Sequence, residues 1–487
     1  MSTFWTLPTG VELAIFVVCL VIARVALRLS IGPATAALLL ICPVPLTYLV
    51  SGADSAVYAS DIMGIFCLLW LASSQMRLRA LFAERVTRLP VVLASLLLVV
   101  LPSLSTALGL IATSGAEWKL IAIGFCRGFV YLGLFCGAIA FGKPCKELDK
   151  VITIQCIAFS LICCCGILQS VTGLNLTLPI PGALPGTLLI DSATGFMGLY
   201  RGAVGAWGAA ICGAIPLVLL HRRFGWVLAP ACLLAVLMAI ILVGSRQGLA
   251  FGLMATVFGT VGARGTGGRG TSSTVRALAA VVVLAIGGLY LASVTANSSY
   301  DAWLNSRFGG MLDSGSAVDQ VSSRDDRMWY AVDRWFRVPI TVQVLGAGRG
   351  RLTQNQPDDP NEVGYVDSEF VWQLQENGLF EVMLYVAFLI LLARRFSLSK
   401  RSPATTRKPI LAAMVALFVG ACLLYGHFFL LHVLNAQGPV ACWNWALFGG
   451  ALGAGIRARV RHEYRVPLAT ACHQDGLMSR ANQLSAH

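Results

Sequence analysis

Two arginines lie beside long apolar segments, and their residue type suits an anion-binding site. Arg246 interrupts the apolar stretch IILVGSRQGLAFG (240–252), and Arg201 opens another apolar segment within the Gly-rich GFMGLYRGAVG (195–205). A guanidinium binds phosphate through paired N–H donors, and backbone N–H groups at a helix start point toward the same anion. Both arginines are therefore predicted to hold a phosphate or diphosphate, although each could instead anchor its helix among lipid headgroups.

Carboxylates that could act as a general base lie in the stretch YVDSEFVWQLQENGLF (365–380). Asp367 or Glu369 could accept a proton from a substrate hydroxyl. Asp367 is also a natural N-cap for a short helix predicted over 368–377, so both interpretations of that residue stay open.

The same segment of the chain carries arginines and aromatic rings that could contact a ligand. Arg324 and Arg327 could bind phosphate or pair with neighbouring Asp residues. Arg349 lies in GAGRGRL (346–352), which could cradle a phosphate or form a flexible turn. Trp329 could offer a flat face to a sugar ring or could pack this segment onto the rest of the chain.

One further cation lies well inside an apolar segment. Arg127 follows eight residues of the apolar run that begins at 119, and Asp61 in an earlier run is a candidate partner. A charge at that depth is costly and commonly functional. A structural ion pair is an equal interpretation.

The sequence gives little support to metal, nucleotide or nucleic-acid chemistry. His427 and His432 have no nearby carboxylate, and no CxxC pair with metal spacing, P-loop, dinucleotide fingerprint or G-x-S-x-G elbow is present. Most of the 15 cysteines lie inside apolar segments, where thiols act as small apolar side chains. No metal, cofactor or nucleic-acid partner is therefore predicted, and any reaction would use a substrate already activated in the membrane.

The elements that must position these residues are predicted to be membrane helices. The 487 residues are 57% hydrophobic and only 12% charged, whereas soluble domains have about 25% charged residues. About thirteen apolar segments (12–14) approach the roughly twenty residues that span a bilayer. The predicted spans are 11–28, 33–51, 57–75, 90–112, 119–141, 151–171, 202–220, 226–243, 248–262, 277–294, 379–394, 409–427 and 438–456. The predicted fold class is an all-α polytopic membrane protein.

The distribution of charge predicts the topology. Lys and Arg cluster in short segments between alternate spans, which is the positive-inside pattern with the N-terminus outside and the C-terminus inside. This arrangement also argues against nucleic-acid binding as the reason for the +13 net charge. The chain then divides into helices 1–10 (1–293), a long outside loop (294–378), helices 11–13 (379–456) and a cytoplasmic tail (457–487).

The long loop is acidic and is predicted to contain short helices. It holds seven Arg, no Lys and twelve Asp plus Glu. Because Arg forks onto carboxylates and phosphates, a loop whose cations are all Arg indicates specific contacts. Trp329, Val332, Trp335 and Phe336 recur at helical spacing, and the second predicted helix ends just before Gly378.

The ordered set of motifs resembles the O-antigen ligase and Wzy-type polymerase superfamily of bacterial polysaccharide assembly. The set comprises YRGAVGAWGAAICGAIPLVLL (200–220), LVGSRQGLAFGL (242–253), an R…W…A helix (Arg324, Trp329, Ala331), VLGAGRG (344–350) and DSEFVWQLQENGLFEV (367–382). The resemblance covers about 193–388, and the first half of the chain matches only as hydrophobic spans.

The resemblance implies a membrane glycosyltransferase of GT-C-like architecture whose site faces the periplasm from the bacterial inner membrane, with neither metal nor nucleotide. The implied donor is a glycan on undecaprenyl pyrophosphate, held by Arg201 and Arg246 with help from Arg324. Ligases of this superfamily usually have His eleven residues before the Gly that aligns with Gly378. This chain has Asp367 there, which favours the polymerase branch.

The prediction from sequence is therefore the polymerisation of lipid-linked repeat units into an exopolysaccharide, capsule or O-antigen. The alternative within the same class is an O-antigen ligase that transfers glycan to lipid A–core. The alternative from another class is a transporter or flippase of lipid-linked sugars. Contacts with a chain-length regulator and a flippase are left open as partners, beside the lipid bilayer itself.

Overall fold

The structure is a computed structural model, and helices dominate it. The residues that it describes are 47–48, 56–57, 59–73, 75, 79, 81–82, 85–112, 118–141, 145–172, 201–220, 222, 224–242, 246–264, 329, 332–333, 335–346, 369–398, 410–416 and 442–454.

The described part of the chain is almost entirely α-helical, which confirms that part of the predicted fold class. Its exception is a two-residue antiparallel pairing of β1 (Thr47–Tyr48) with β2 (Ala56–Val57). The principal helices are α1 (Ala59–Ala72), α2 (Arg85–Ser95), α3 (Leu101–Ala112), α4 (Trp118–Phe141), α5 (Cys145–Thr172), α6 (Arg201–Leu219), α7 (Gly225–Leu242), α8 (Arg246–Arg264), α9 (Ile340–Leu345), α10 (Glu369–Leu398), α11 (410–416) and α12 (442–454).

A π-helical turn, Leu96–Val100, joins α2 to α3. Its cause lies two residues further on. Pro102 has no N–H to donate to the carbonyl of Leu98, and its ring crowds that carbonyl. The chain widens instead, and the N–H of Leu101 donates to the carbonyl of Leu96, five residues earlier.

The helices α6 and α8 form the most extensive pair among the described elements, and they run parallel. Gly252 of α8 faces Ala209 of α6, and Gly259 faces Gly213. A Cβ added to Gly259 would overlap the carbonyl oxygen of Gly213. Such close approach requires small residues at the interface.

The direction of the other helices follows from contacts near their ends. Only three residues separate the end of α4 from the start of α5, so these ends lie together. Arg222, just before α7, pairs with Asp149 near the start of α5 at 3.3 Å. Gly225 at the start of α7 lies against Leu219 at the end of α6. Thus α4 and α6 end where α5 and α7 begin, and we call this end of the bundle the lower end.

The helices α10 and α12 share the direction of α4. Gly449 and Gly453 of α12 contact α4 at Phe135 and Ile139. Along α10, Phe388 meets Trp445 with ring centroids 5.5 Å apart, and Phe396 meets Phe448 at 6.3 Å. The starts of α4, α6, α8 and α12 and the Gly378 region of α10 therefore lie at one end, the upper end.

The core of the bundle is mostly apolar, but it also encloses charged and amide side chains. Buried polar residues include Asp61, Arg127, Gln155, Glu376, Asn377 and Glu381. Large apolar side chains cover parts of the outside instead, among them Met254, Val257, Phe258 and Val261 on one face of α8. In a water-soluble protein the charged residues are almost never buried and large exposed apolar patches are uncommon.

Two helical stretches, Thr87–Ala107 and Gly225–Leu242, are long and apolar enough to cross a membrane. They coincide with the predicted fourth and eighth spans. Shorter apolar helices coincide with the predicted third, fifth, sixth, seventh and ninth spans: Met63–Ala72, Cys126–Ala140, Ile152–Cys164, Trp207–Leu219 and Gly248–Ala263. Two such helices are a weak indication of membrane association, and they do not confirm the predicted total of about thirteen spans.

Candidate functional site

The structure brings the backbones of Arg201 and Arg246 to the same end of one helix pair. Arg201 is the first residue of α6 and Arg246 is the first residue of α8. Gly252 lies opposite Ala209, and these residues come six and eight positions after the two helix starts. Because the helices are parallel, the two starts therefore lie side by side. The first four N–H groups of a helix have no partner within that helix, and the helix dipole adds positive potential there. Two adjacent helix starts that each begin with Arg suit an anion.

Arg246 is placed slightly differently from the sequence-based expectation. The motif predicts a tight turn between two spans, with Arg246 in the turn. The structure has α7 ending at Leu242 and α8 beginning at Arg246 itself. Arg246 thus belongs to the first helical turn, where the unpaired backbone N–H groups are.

A kink in α10 forms the second part of the upper end. Gly378 has φ 80° and ψ 169° between two helical halves, so the helix predicted to end before Gly378 is confirmed. Gly346, at the end of α9, has φ 84°. A Cβ on Gly346 would overlap the backbone of Glu376 and Asn377, and a Cβ on Gly378 would overlap the backbone of Val344. The end of α9 therefore rests directly on the kink.

Buried polar groups surround this kink. Glu376 and Asn377 are each 2% exposed, and Glu381 is 1% exposed. The hydroxyl of Ser105 in α3 donates to the carbonyl oxygen of Glu376 at 2.7 Å. Because the helix breaks at Gly378, the carbonyls just before it lose their helical donors, and Ser105 supplies one. Thr106, next to Ser105, is 8% exposed and its Oγ1 has no partner among the described residues.

Sequence reasoning missed Glu376 and Glu381, although a signal for them was present. Glu381 lies within the predicted eleventh span, and an ionisable residue in a span is a functional candidate by default. Asp367 and Glu369 attracted attention instead because they begin the motif. Whether Glu381 points into the bundle depends on how α10 packs against other helices, and the sequence motif does not reveal that packing.

Only some of the predicted site residues lie in the part of the chain that the structure describes. Glu369 is the first residue of α10. Trp329 is helical and 63% exposed. Trp335 is 7% exposed and belongs to one buried cluster with Leu374 and Val382 of α10, which favours packing over contact with a sugar. The remaining predicted site residues, Asp367, Arg324, Arg327 and Arg349, lie outside the described residues.

Gly346 opens the predicted phosphate cradle GAGRGRL, and its contacts favour a different use. The residue is buried, and its N–H donates to the carbonyl of Val342 at 2.8 Å. Its missing side chain leaves room for the backbone of α10. The close approach of two backbones explains this glycine without a ligand.

Asp61 and Arg127 lie at one level on two packed parallel helices. A Cβ on Gly64 of α1 would meet Val130 of α4, and a Cβ on Gly133 would meet Gly64 and Leu68. Asp61 and Arg127 each come three residues before this contact, and each is 7% exposed. The thiol of Cys442 lies 3.9 Å from Oδ1 of Asp61. The register agrees with the structural ion pair, which is one of the two interpretations of Arg127 that the sequence leaves open.

Among the described residues, no group of three or more His, Cys, Asp or Glu could hold a metal ion. Nine of the cysteines in the described part of the chain are free thiols, and seven of these are buried. No protein-family model matches the chain, and no curated protein matches it.

Proposed function

We propose that the chain is a polytopic membrane glycosyltransferase with about thirteen spans and a GT-C-like architecture. It joins oligosaccharide repeat units carried on undecaprenyl pyrophosphate into a surface polysaccharide, at the periplasmic face of the bacterial inner membrane. The observation that carries this proposal is the pair of parallel helices, α6 and α8, which begin with Arg201 and Arg246 at the same end. A lipid pyrophosphate has the charge that two such helix starts bind.

The membrane part of the proposal is supported by the directions of the helices and by their exposed faces. If each span crosses once, consecutive spans must be antiparallel and alternate spans must be parallel. The described helices agree with this rule. Five of them run from the upper end to the lower end, namely α4, α6, α8, the part of α10 after Gly378, and α12. Two run the other way, namely α5 and α7. The exposed apolar faces of α8 and α10 are then covered by lipid.

The proposed reaction exchanges one bond at the anomeric carbon. A hydroxyl of the incoming repeat unit attacks that carbon, a new C–O glycosidic bond forms, and the C–O bond to the pyrophosphate breaks. Asp367 or Glu369 takes the proton of the hydroxyl. Arg201 and Arg246 stabilise the charge on the departing undecaprenyl pyrophosphate. Arg324, Arg327 and Arg349 are proposed as further phosphate contacts from the loop, and Trp329 as a contact to the sugar.

The experiment that tests this proposal supplies purified protein with an undecaprenyl-pyrophosphate-linked repeat unit and looks for a ladder of lengthened lipid-linked products. Arg246→Ala should lower kcat by about 10²–10³-fold, as removal of one group that stabilises transition-state charge does in other enzymes. The matched control is Arg222→Ala, which removes a cation from the lower end. Its pair with Asp149 is partly exposed, so its loss should cost roughly 0–1 kcal/mol of stability and leave the ladder intact.

Other products would point to the other interpretations. Transfer of glycan to lipid A–core without a ladder would indicate a ligase. Movement of the lipid across vesicles without new glycosidic bonds would indicate a transporter. Full activity in Arg246→Ala at normal expression would refute the proposed role of Arg246 and return it to anchoring the helix at the headgroups.

A further inference from the structure

Two glycines with positive φ join residues 335–346, called the loop segment or simply the loop below, to α10. The backbone at Gly346 lies directly against the backbone at Gly378. A Cβ placed on Gly378 would lie 2.5 Å from the amide nitrogen of Gly346, which is too close for any side chain. Any other L-residue would be strained at φ near 80° as well as overlapping its neighbour. Neither position can change without separating the loop from α10.

We propose that the contact of Gly346 with Gly378 is a latch that positions the first half of α10, Glu369–Asn377, for the reaction. The inference rests on the proposed function, since that half begins with the candidate base Glu369. Gly346 and Gly378 are positioning residues in this scheme, because they act through the helix and do not touch the substrate.

Trp335 shows how the latch sets the angle of the kink. It forms one buried cluster with Leu374, before the kink, and Val382, after it. A cluster that joins both halves of a bent helix to the loop segment stabilises one angle of the kink, and it forms only while that segment is docked. The Gln343 side chain keeps the loop compact, since its Nε2 donates to the carbonyls of Phe336 and Val338 at 2.9 Å.

The same half-helix is also held by α3. Ser105 donates to the carbonyl oxygen of Glu376, which is also the atom nearest to a Cβ placed on Gly346. The segment before the kink is thus held by α3 and the loop segment at one carbonyl, and Glu376 and Asn377 are buried there. When the loop segment leaves, the first half of α10 loses one of its supports, and Glu369 moves with it. Docking of the loop and placement of Glu369 are therefore one event.

The test uses the full-length protein in detergent and reads the latch without relying on turnover. The variants are Gly346→Ala, Gly378→Ala and the double substitution. The matched control is Gly252→Ala, whose added Cβ would meet its nearest neighbours at 3.5–3.7 Å, which is ordinary contact. Iodide quenching of Trp335 is obtained for each protein by subtracting the signal of the same protein carrying Trp335→Phe. The exposed Trp329 supplies the reference for a fully accessible ring.

We expect each latch variant to raise quenching of Trp335 severalfold, toward the value for Trp329, while Gly252→Ala resembles the parent. The double variant should be no more quenched than either single variant, because all three break the same contact. In the ladder assay kcat should fall at least about tenfold, as small misplacements of a reacting group do. KM for the lipid-linked unit should change by a smaller factor than kcat, because the two principal pyrophosphate contacts, Arg201 and Arg246, lie on α6 and α8 and only the further contacts lie on the loop.

If Trp335 in Gly378→Ala is quenched by iodide no more than in the parent protein, the latch is refuted. Additive increases in quenching from the two glycine substitutions would also refute it. A rise in KM that accounts for the whole loss of activity would overturn the positioning role. If the parent protein makes no ladder while Trp335 responds as expected, the latch stands and the proposed function fails.

Discussion

The tight packing of α6 on α8 makes a quantitative prediction about Gly259. In Gly259→Ala the new Cβ would overlap the carbonyl oxygen of Gly213 and would lie 3.0 Å from its carbonyl carbon. Both neighbours are backbone atoms, which cannot rotate away as a side chain does. The two helices must therefore separate by about 1 Å to restore ordinary contacts.

The cost of that separation can be worked from the contact itself. The full attraction between two atoms in contact is ~0.1–0.2 kcal/mol. A gap of about 0.5–1 Å removes about a quarter to a half of it. A few tens of atom pairs along the helix contact then lose about 1–2 kcal/mol. Measured overpacking of well-packed cores gives a similar range, about 1–3 kcal/mol. Gly252→Ala on the same helix adds a Cβ at ordinary distance, so it should cost well under about 1 kcal/mol.

The assay is thermal unfolding of the detergent-solubilised protein, followed by intrinsic fluorescence. Gly259→Ala should lower the midpoint by a few degrees, at roughly 2 °C per kcal/mol for a chain of this size, and Gly252→Ala should not. Equal midpoints for Gly259→Ala and the parent would refute the close parallel packing. The register that brings Arg201 beside Arg246 would then lose its main support.

Two further predictions concern the core and the outer surface of the bundle. Trp443→Phe removes the donor to Oε1 of Gln155, a buried bond of 2.5 Å, and should cost about 1–3 kcal/mol by leaving that oxygen unpaired. Adding Gln155→Leu should recover part of the lost thermal stability, and a double variant as unstable as the sum of both single variants would contradict this account. Val257→Arg, on an exposed apolar face near the middle of α8, should cost about 2.5–3.5 kcal/mol if lipid covers it and reduce the membrane-inserted yield, whereas Val257→Leu should not. A normal yield of Val257→Arg in the soluble fraction would contradict the lipid-facing assignment.

The sequence predicts the fold most reliably where one local property decides the outcome. A run of apolar residues predicts a helix because the backbone must satisfy its own hydrogen bonds in lipid, and the described helices agree with the predicted runs. The break at Gly378 is predicted for a similar reason, since Gly readily adopts the positive φ that ends a helix. Both properties belong to short stretches of sequence and need no knowledge of the neighbouring helices.

The parts of the candidate site that sequence reasoning missed depend on contacts between distant segments. Ser105 and Glu376 are 271 residues apart, and only their hydrogen bond marks them as neighbours. The glycines of α8 gave a partial signal, because Gly248 and Gly252 have the small-residue spacing typical of closely packed membrane helices. That spacing does not name the partner helix. The π-helical turn at Leu96–Val100 also had a local cause, Pro102, but a proline allows either a kink or a widened turn.

The ends of α8 and α10 can be compared with the predicted path of the chain between Arg264 and Gly378. The last residue of α8, Arg264, lies at the lower end, because α8 begins beside α6 at the upper end. The kink at Gly378 lies at the upper end. The chain between them must therefore begin and finish at opposite ends of the bundle. The predicted tenth span, 277–294, lies outside the described residues and stays a prediction. An odd number of crossings joins opposite ends of a bundle, so the single crossing predicted there agrees with the ends of its flanking helices, whereas no crossing or two would not.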